Sequence, residues 1–119
     1  MNKKTILVTG GAGFVGSNLI KLLLLKSKFN IISIDNYSSG TTKNQIKNKR
    51  VKYIRAHTRK ISKVFENKKK NIHSLFHFGE FARIYQSFLK MDECINSNSI
   101  GSHEVFNFCF INKIKLIYS

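Results

Sequence analysis

The sequence predicts a doubly wound α/β sheet of parallel strands. Three observations carry that reading: short β-branched runs that stop at turn residues, helical apolar spacing between them, and a glycine cluster where the first run meets the first helical stretch. Thr5-Ile6-Leu7-Val8-Thr9 is almost continuously apolar and ends in two glycines, as a strand covered on both faces does. From Phe14 to about Lys26 there is no proline and no glycine after Gly16, and Val15, Leu19, Leu22 and Leu23 recur at helical spacing, which predicts the first helix. Asn30-Ile31-Ile32-Ser33-Ile34-Asp35 predicts the second strand, stopping at an acid and entering a Tyr, Ser, Gly and Thr loop.

The alternating Val51-Lys52-Tyr53-Ile54-Arg55 predicts a third strand, and Ile61, Val64 and Phe65 within the basic stretch from about Lys60 to Lys70 predict a helix after it. Ser74-Leu75-Phe76-His77-Phe78 predicts a fourth strand ending at Gly79. A long helix from about Asp92 to Phe110, with Val105, Phe108 and Cys109 on one face, leads to a fifth strand at Lys115-Leu116-Ile117-Tyr118. Right-handed crossovers between such strands give the order 3-2-1-4-5, a Rossmann-like arrangement.

With 119 residues the chain has room for one domain and one core. Its 42% hydrophobic content is that of a globular protein, and no apolar run approaches the roughly 20 residues that span a bilayer. Cys94 and Cys109 are too few for a disulfide framework and fit no metal-ligand spacing, so cytoplasmic residence is expected and no metal is. The formal charge of +15 raises the question of a polyanionic partner. The excess is carried by Lys, with Arg only at Arg50, Arg55, Arg59 and Arg83, whereas phosphate and base recognition favour the guanidinium fork; a solvated Lys-rich surface is the simpler account. Nucleic-acid binding is the lowest of the alternatives.

The chemistry is concentrated in Gly11-Ala12-Gly13-Phe14-Val15-Gly16, a G-x-G-x-x-G turn. Alone such a turn is a weak signal; placed after a strand, before a helix, and upstream of Asp35 it fits the dinucleotide fingerprint. Glycines there permit positive φ and let a pyrophosphate approach where a Cβ would stand in the way. The free amides of the first helical turn and the helix dipole then favour the anion. Asp35 at the end of the second strand is placed to accept the adenosine ribose hydroxyls and to repel a 2′-phosphate, which favours NAD over NADP.

These residues resemble the extended short-chain dehydrogenase/reductase family, within it the nucleotide-sugar epimerases and dehydratases typified by UDP-glucose 4-epimerase. Thr9-Gly10-Gly11-Ala12-Gly13-Phe14-Val15-Gly16 is similar to the family's T-G-x-x-G-x-x-G turn, and Asp35-Asn36-Tyr37-Ser38-Ser39-Gly40 to its D-N-x-S-x-G ribose loop. Phe76-His77-Phe78-Gly79 resembles the H-L-A-A end of the fourth strand, Ser87 falls where a serine is usual, and Asn98-Ser99-Ile100-Gly101-Ser102 resembles N-x-x-G-T. The resemblance implies NAD contacts from Gly10, Gly11, Gly13, Phe14, Val15, Gly16, Asp35, Asn36, Ser39, Gly40, Phe78, Gly79 and Asn98.

The sequence also departs from the family. Ala56-His57 stands where a Gly-Asp pair contacts adenine, His73 where an aspartate is expected, and Glu80 where a small residue is usual, with Arg83 three residues on as a neutralising partner. For His77 a packing or capping role is expected rather than catalysis. Family members carry Ser or Thr soon after the fifth strand, then Tyr-x-x-x-Lys, then a substrate lobe; this sequence reaches Ser119 at the head of that segment and contains no Tyr-x-x-x-Lys. The resemblance therefore implies residues 1–119 as one NAD-binding domain truncated after the fifth strand, with no catalytic residue of its own. Its parent would oxidise a UDP- or dTDP-sugar transiently through bound NAD and would often be homodimeric. A non-catalytic NAD-binding regulatory module is the alternative.

Overall fold

The computed structural model describes residues 4–38, 40–67, 71–79 and 91–118. Ser39, Glu80, Arg83, Ser87 and Ser119 lie outside the described residues. Five strands form one parallel sheet in the order β3-β2-β1-β4-β5: β1 Thr5–Thr9, β2 Asn30–Asp35, β3 Val51–Arg55, β4 Ile72–His77 and β5 Lys115–Tyr118. β1, β2, β3 and β5 occupy the segments expected from sequence, while β4 begins two residues earlier and stops one residue earlier.

β1 is central, and Ile6, Leu7, Val8 and Thr9 are all buried because helices cover both faces of the sheet. On one face α1 (Phe14–Lys26) covers Ile6, Val8 and Ile31 with Ile20. On the other, Leu7, Ile34 and Leu75 pack with Ile61 and Phe65 and with Val105, Phe108 and Cys109. Those last three, expected as one helical face, are each at most 3% exposed.

The orientation of α1 differs from the simple apolar pattern. Val15 and Leu22 are 57% and 51% exposed, and the helix turns Gly16, Ser17 and Ile20 inward. The cause lies at its start: a Cβ on Gly16 would stand 2.2 Å from the Gly10 carbonyl oxygen. The helix must therefore present its smallest residue to the turn, and that contact sets the rotation of every later side chain.

After β3 a 3-10 turn, Thr58–Lys60, runs into a short α2, Ile61–Val64. Ile61 and Phe65 are buried as their spacing implied, but the described helix is much shorter than the basic stretch suggested. The long helix before β5 is also interrupted. It comprises α3 (Met91–Ile95), a π-helical turn at Asn96–Gly101 and α4 (Ser102–Asn112). A π turn carries an extra residue per turn and shifts the phase of everything before it, so Asn98 and α4 do not share one continuous helical face.

Cys109 is buried in the core, and burial pushes its thiol up to about 11. With a thiol reagent at about pH 8, where only thiolate reacts, half-buried Cys94 is expected to label first. Cys109 should label only on unfolding, and equal rates at the two sites would contradict this packing.

Candidate functional site

The carboxyl ends of β1, β2 and β4 meet at one crevice, and the glycine turn crosses it. Gly10 has φ +74, and a Cβ there would lie 2.8 Å from the Phe78 carbonyl oxygen, so at Gly10 the chain passes the residues after β4 backbone against backbone. Gly11 sits equally tightly against the Ser33 side chain on β2. Gly13 differs: the one atom its Cβ would approach is the Gly10 carbonyl oxygen, at 3.3 Å, so its outer side is open. Two of these glycines close the fold and the third leaves room for a ligand.

Gly13 is the N-cap of α1 and supplies no side-chain cap, and the first turn carries no acid. The first intrahelical bond is Ser17 N–H to the Gly13 carbonyl at 2.9 Å, so the amides of Phe14, Val15 and Gly16 come before any helical acceptor. With Phe14 82% exposed and Val15 57% exposed, these side chains stand away from the helix and its amino end is left to an anion.

Asp35 ends β2 with its carboxylate buried at 8% exposure. Oδ2 accepts the Ala12 N–H at 3.0 Å, and Oδ1 accepts the Tyr37 N–H at 2.7 Å. Each oxygen keeps a further lone pair for a hydroxyl donor. The Ala12 carbonyl in turn accepts from Thr41 N–H at 3.1 Å and from Asn44 Nδ2 at 2.9 Å. The Ala12 peptide thus clamps the glycine turn to the loop after β2 on both of its sides. Gly40 completes the clamp, since a Cβ there would lie 2.8 Å from Asp35 Oδ2. Asn36 folds over the same loop, its Oδ1 accepting the Ser38 N–H at 3.0 Å.

A cleft of about 50 Å³ lies between Gly10 and Gly13 of the turn, Asp35, Asn36 and Ser38 of the loop, and Phe78 and Gly79 after β4. A smaller one of about 10 Å³ continues from Asp35 towards Ala56 and Thr58 beyond β3. Sequence reasoning thus named residues that the structure does bring together: Gly10, Gly13, Asp35, Asn36, Phe78 and Gly79. Asn98 lies in the π turn, where its Nδ2 donates to Cys94 Sγ at 3.6 Å.

One buried cluster was not anticipated. Thr9 Oγ1 accepts from the N–H groups of Phe78 at 2.9 Å and Gly79 at 2.8 Å. Both of its lone pairs are then used, so its proton points to His77 Nδ1, 2.6 Å away. Nδ1 is therefore the unprotonated nitrogen, and Nε2 carries the hydrogen toward Ser102 Oγ at 2.8 Å. His77 is fully buried and stacks on Tyr118 at 5.6 Å. This chain ties β1, β4 and α4 together and fixes the Phe78-Gly79 wall of the cleft, a positioning role that agrees with the packing expected for His77. The signal in sequence was the threonine before the glycines, whose hydroxyl joins the Phe78 and Gly79 N–H groups to His77. His73 stacks on Phe29 with ring centroids 4.8 Å apart and lies at the amino end of β4, away from the cleft.

His57, standing for the family's adenine-contacting aspartate, takes a local role: Nδ1 accepts the Arg59 N–H at 3.1 Å and caps the 3-10 turn. Burial, and then the neighbouring Arg59 charge, lowers its pKa, so it does not supply a standing positive charge to the site.

A parallel sheet in this order, with a glycine turn and a buried acid facing each other across the switch point, defines a Rossmann-type α/β domain. More particularly, the chain belongs to the NAD dependent epimerase/dehydratase family, which it matches over residues 6–119. It is similar to a UDP-glucose 4-epimerase of the hyperthermophilic eubacterium Thermotoga maritima, with 26% identity and a TM-score of 0.83 over 96% of this chain and 37% of that one. It is also similar to a UDP-glucose 4-epimerase of Thermus thermophilus, solved as a complex with NAD, with 25% identity and a TM-score of 0.79 over 94% of this chain and 36% of that one. A stretch of 39 residues is 51% identical to UDP-glucuronic acid decarboxylase 6 of Arabidopsis thaliana, covering 33% of this chain and 11% of that protein. The chain thus spans little more than a third of the solved relatives, 37% and 36% of their lengths.

Proposed function

We propose that this chain is the NAD-binding portion of a cytoplasmic nucleotide-sugar epimerase or dehydratase. The observation that carries the reading is the buried Asp35 carboxylate, fixed to the glycine turn by the Ala12 N–H and retaining acceptor capacity beside the cleft. In this reading the amides of Phe14, Val15 and Gly16 hold the pyrophosphate over the open side of Gly13. Gly10, Gly11 and Gly40 allow the close backbone approaches that shape the crevice, and Asp35 with Asn36 and Ser39 holds the adenosine ribose. Phe78, Gly79 and Asn98 border the path toward the nicotinamide. Bound NAD supplies a hydride acceptor for a sugar carbon of a UDP- or dTDP-sugar.

The sequence holds no Tyr-x-x-x-Lys, so the residues present bind and orient the cofactor and none removes the sugar hydroxyl proton. Among the described residues no helix is long and apolar enough to cross a membrane.

Calorimetric titration of the chain with NAD tests the reading. Saturable binding is expected, with at least about tenfold weaker affinity for Asp35→Asn, because a charged acceptor facing ribose hydroxyls is worth more than about 1.4 kcal/mol. UDP-sugar conversion by the chain alone should not be detectable. A folded sample that ignores NAD removes the proposal, and turnover would contradict the absence of catalytic groups.

A further inference from the structure

Because the five strands are parallel, the two ends of the sheet are unlike: the crevice occupies their carboxyl ends, and the amino ends gather the loops by which α1 and α4 return to the sheet. Lysine collects at that second end. The Asn30 N–H donates to the Lys4 carbonyl at 3.1 Å. The Arg50 guanidinium donates to the Ser27 carbonyl at 2.8 Å, to the Phe29 carbonyl at 3.1 Å and to the Leu24 carbonyl. These bonds draw together the segments that carry Lys4, Lys26 and Lys28, and Lys49 and Lys52, and all five lysines are exposed. A cavity of about 240 Å³ lies at this end, lined among others by Asn30, Lys49, Arg50 and Lys52 together with Ile31 and Ile32, and among the described residues no acid lines it.

Cations after a helix are ordinarily explained by the unsatisfied carbonyls of its last turn. Here Arg50 already takes those carbonyls, so the lysines are not needed to close α1. Beside them α1 turns two leucines outward one turn apart, Leu22 at 51% and Leu25 at 79% exposure. A nucleic acid would meet the charge and give these apolar tips nothing to enter, and it favours the guanidinium fork, which in this patch is spent on backbone carbonyls. The surface of an anionic bilayer suits both features, drawing lysines to its headgroups and taking leucine side chains into the boundary with the acyl chains. We propose that the amino end of the sheet is a docking surface for an anionic phospholipid membrane. The dinucleotide crevice, roughly 16 Å away along β2, then stays turned to the water.

The test is sedimentation of the whole chain with vesicles of phosphatidylcholine alone and of phosphatidylcholine with phosphatidylserine. At roughly 0.05 M salt the chain should sediment with the anionic vesicles and not with the neutral ones, and binding should fall at least about tenfold at roughly 0.5 M salt. Lys28→Gln, Lys49→Gln and Lys52→Gln combined should weaken binding at least about tenfold. Lys43→Gln, Lys60→Gln and Lys63→Gln combined remove the same charge from the segments after β2 and β3 and should change it by less than about threefold. Leu25→Ser should weaken vesicle binding about threefold or more, through lost apolar contact alone. Thermal melts check that each variant is folded. No binding to anionic vesicles, equal binding to neutral ones, equal effects of the two triple variants, or a Leu25→Ser chain that binds as before overturns the proposal. Tighter binding to duplex DNA than to anionic vesicles, unmoved by Leu25→Ser, assigns the patch to nucleic acid and overturns it as well. NAD titration of the same samples reports on the dinucleotide reading separately, and that reading stands or falls independently of the vesicles.

Discussion

Gly16→Ala is expected to abolish NAD binding and to destabilise the domain by about 3 kcal/mol or more, beyond the usual range for a single overpacked methyl group. The added Cβ would stand 2.2 Å from the Gly10 carbonyl oxygen, 2.8 Å from its carbon and 2.9 Å from Gly11 Cα. All three are backbone atoms of one tight turn, and none belongs to a side chain that could swing away. Relief requires the amino end of α1 to lift off the turn, which moves the amides of Phe14 and Val15 out of register with Gly13. Gly13→Ala is the informative control. Its φ of −85 suits any L-residue, and its Cβ meets only one atom, at 3.3 Å, so the melting transition should move little. The methyl group would nonetheless occupy the open side assigned to the pyrophosphate, and NAD affinity should fall. Thermal melts with parallel NAD titrations separate the two effects. Equal stability loss in both variants would contradict the division between glycines that close the turn and the one that faces the ligand.

Thr9→Val is the second large effect, although it changes the shape of the side chain hardly at all. Valine leaves the Gly79 N–H and His77 Nδ1 without the partners they have at 2.8 and 2.6 Å, in a region where Thr9 and His77 are fully buried. The Phe78 N–H keeps a second acceptor in the Thr9 carbonyl at 3.2 Å and is spared. Orphaning the buried Nδ1 costs ~1–3 kcal/mol, and the part-buried Gly79 N–H at the cleft adds less than that, for a loss of about 2–4 kcal/mol. For a domain of this size that corresponds to a fall in Tm of roughly 10 °C or more. Thr9→Ser keeps the hydroxyl and should recover most of the loss, leaving only a small cavity term. Chemical denaturation of the three proteins decides the matter: a serine variant no better than valine would show that the methyl group, not the hydroxyl, carries the contribution.

The two sets of variants also mark what was legible in the residues and what was not. The five strands could be read because they are short apolar or alternating runs, the first and fourth ended by Gly and the second by Asp35, and the central strands of a parallel sheet, covered on both faces, need such runs. The glycine turn and Asp35 were legible for a related reason: positive φ and close backbone approach restrict the residue type locally. α1 was bounded correctly but its rotation was not, because Val15 and Leu22 satisfy helical spacing as well as Ile20 and Leu23 do. What selects between them is the contact of Gly16 with Gly10, six residues earlier in the chain. The π turn at Asn96–Gly101 likewise has no local signature, since Asn, Ser and Ile are compatible with ordinary helix.

The sequence by itself determined the class of fold, the position of the phosphate-facing turn and the acid that answers it, because short-range sterics and hydrophobic period are written into neighbouring residues. Only the tertiary structure decided that Thr9, His77 and Ser102 form one hydrogen-bonded chain, and that Arg50 joins the end of α1 to the start of β3 through the Leu24 carbonyl. Those partners are separated by 68, 25 and 26 positions. Their meeting follows from which strands lie side by side and in what register, which is set by the packing of the whole core.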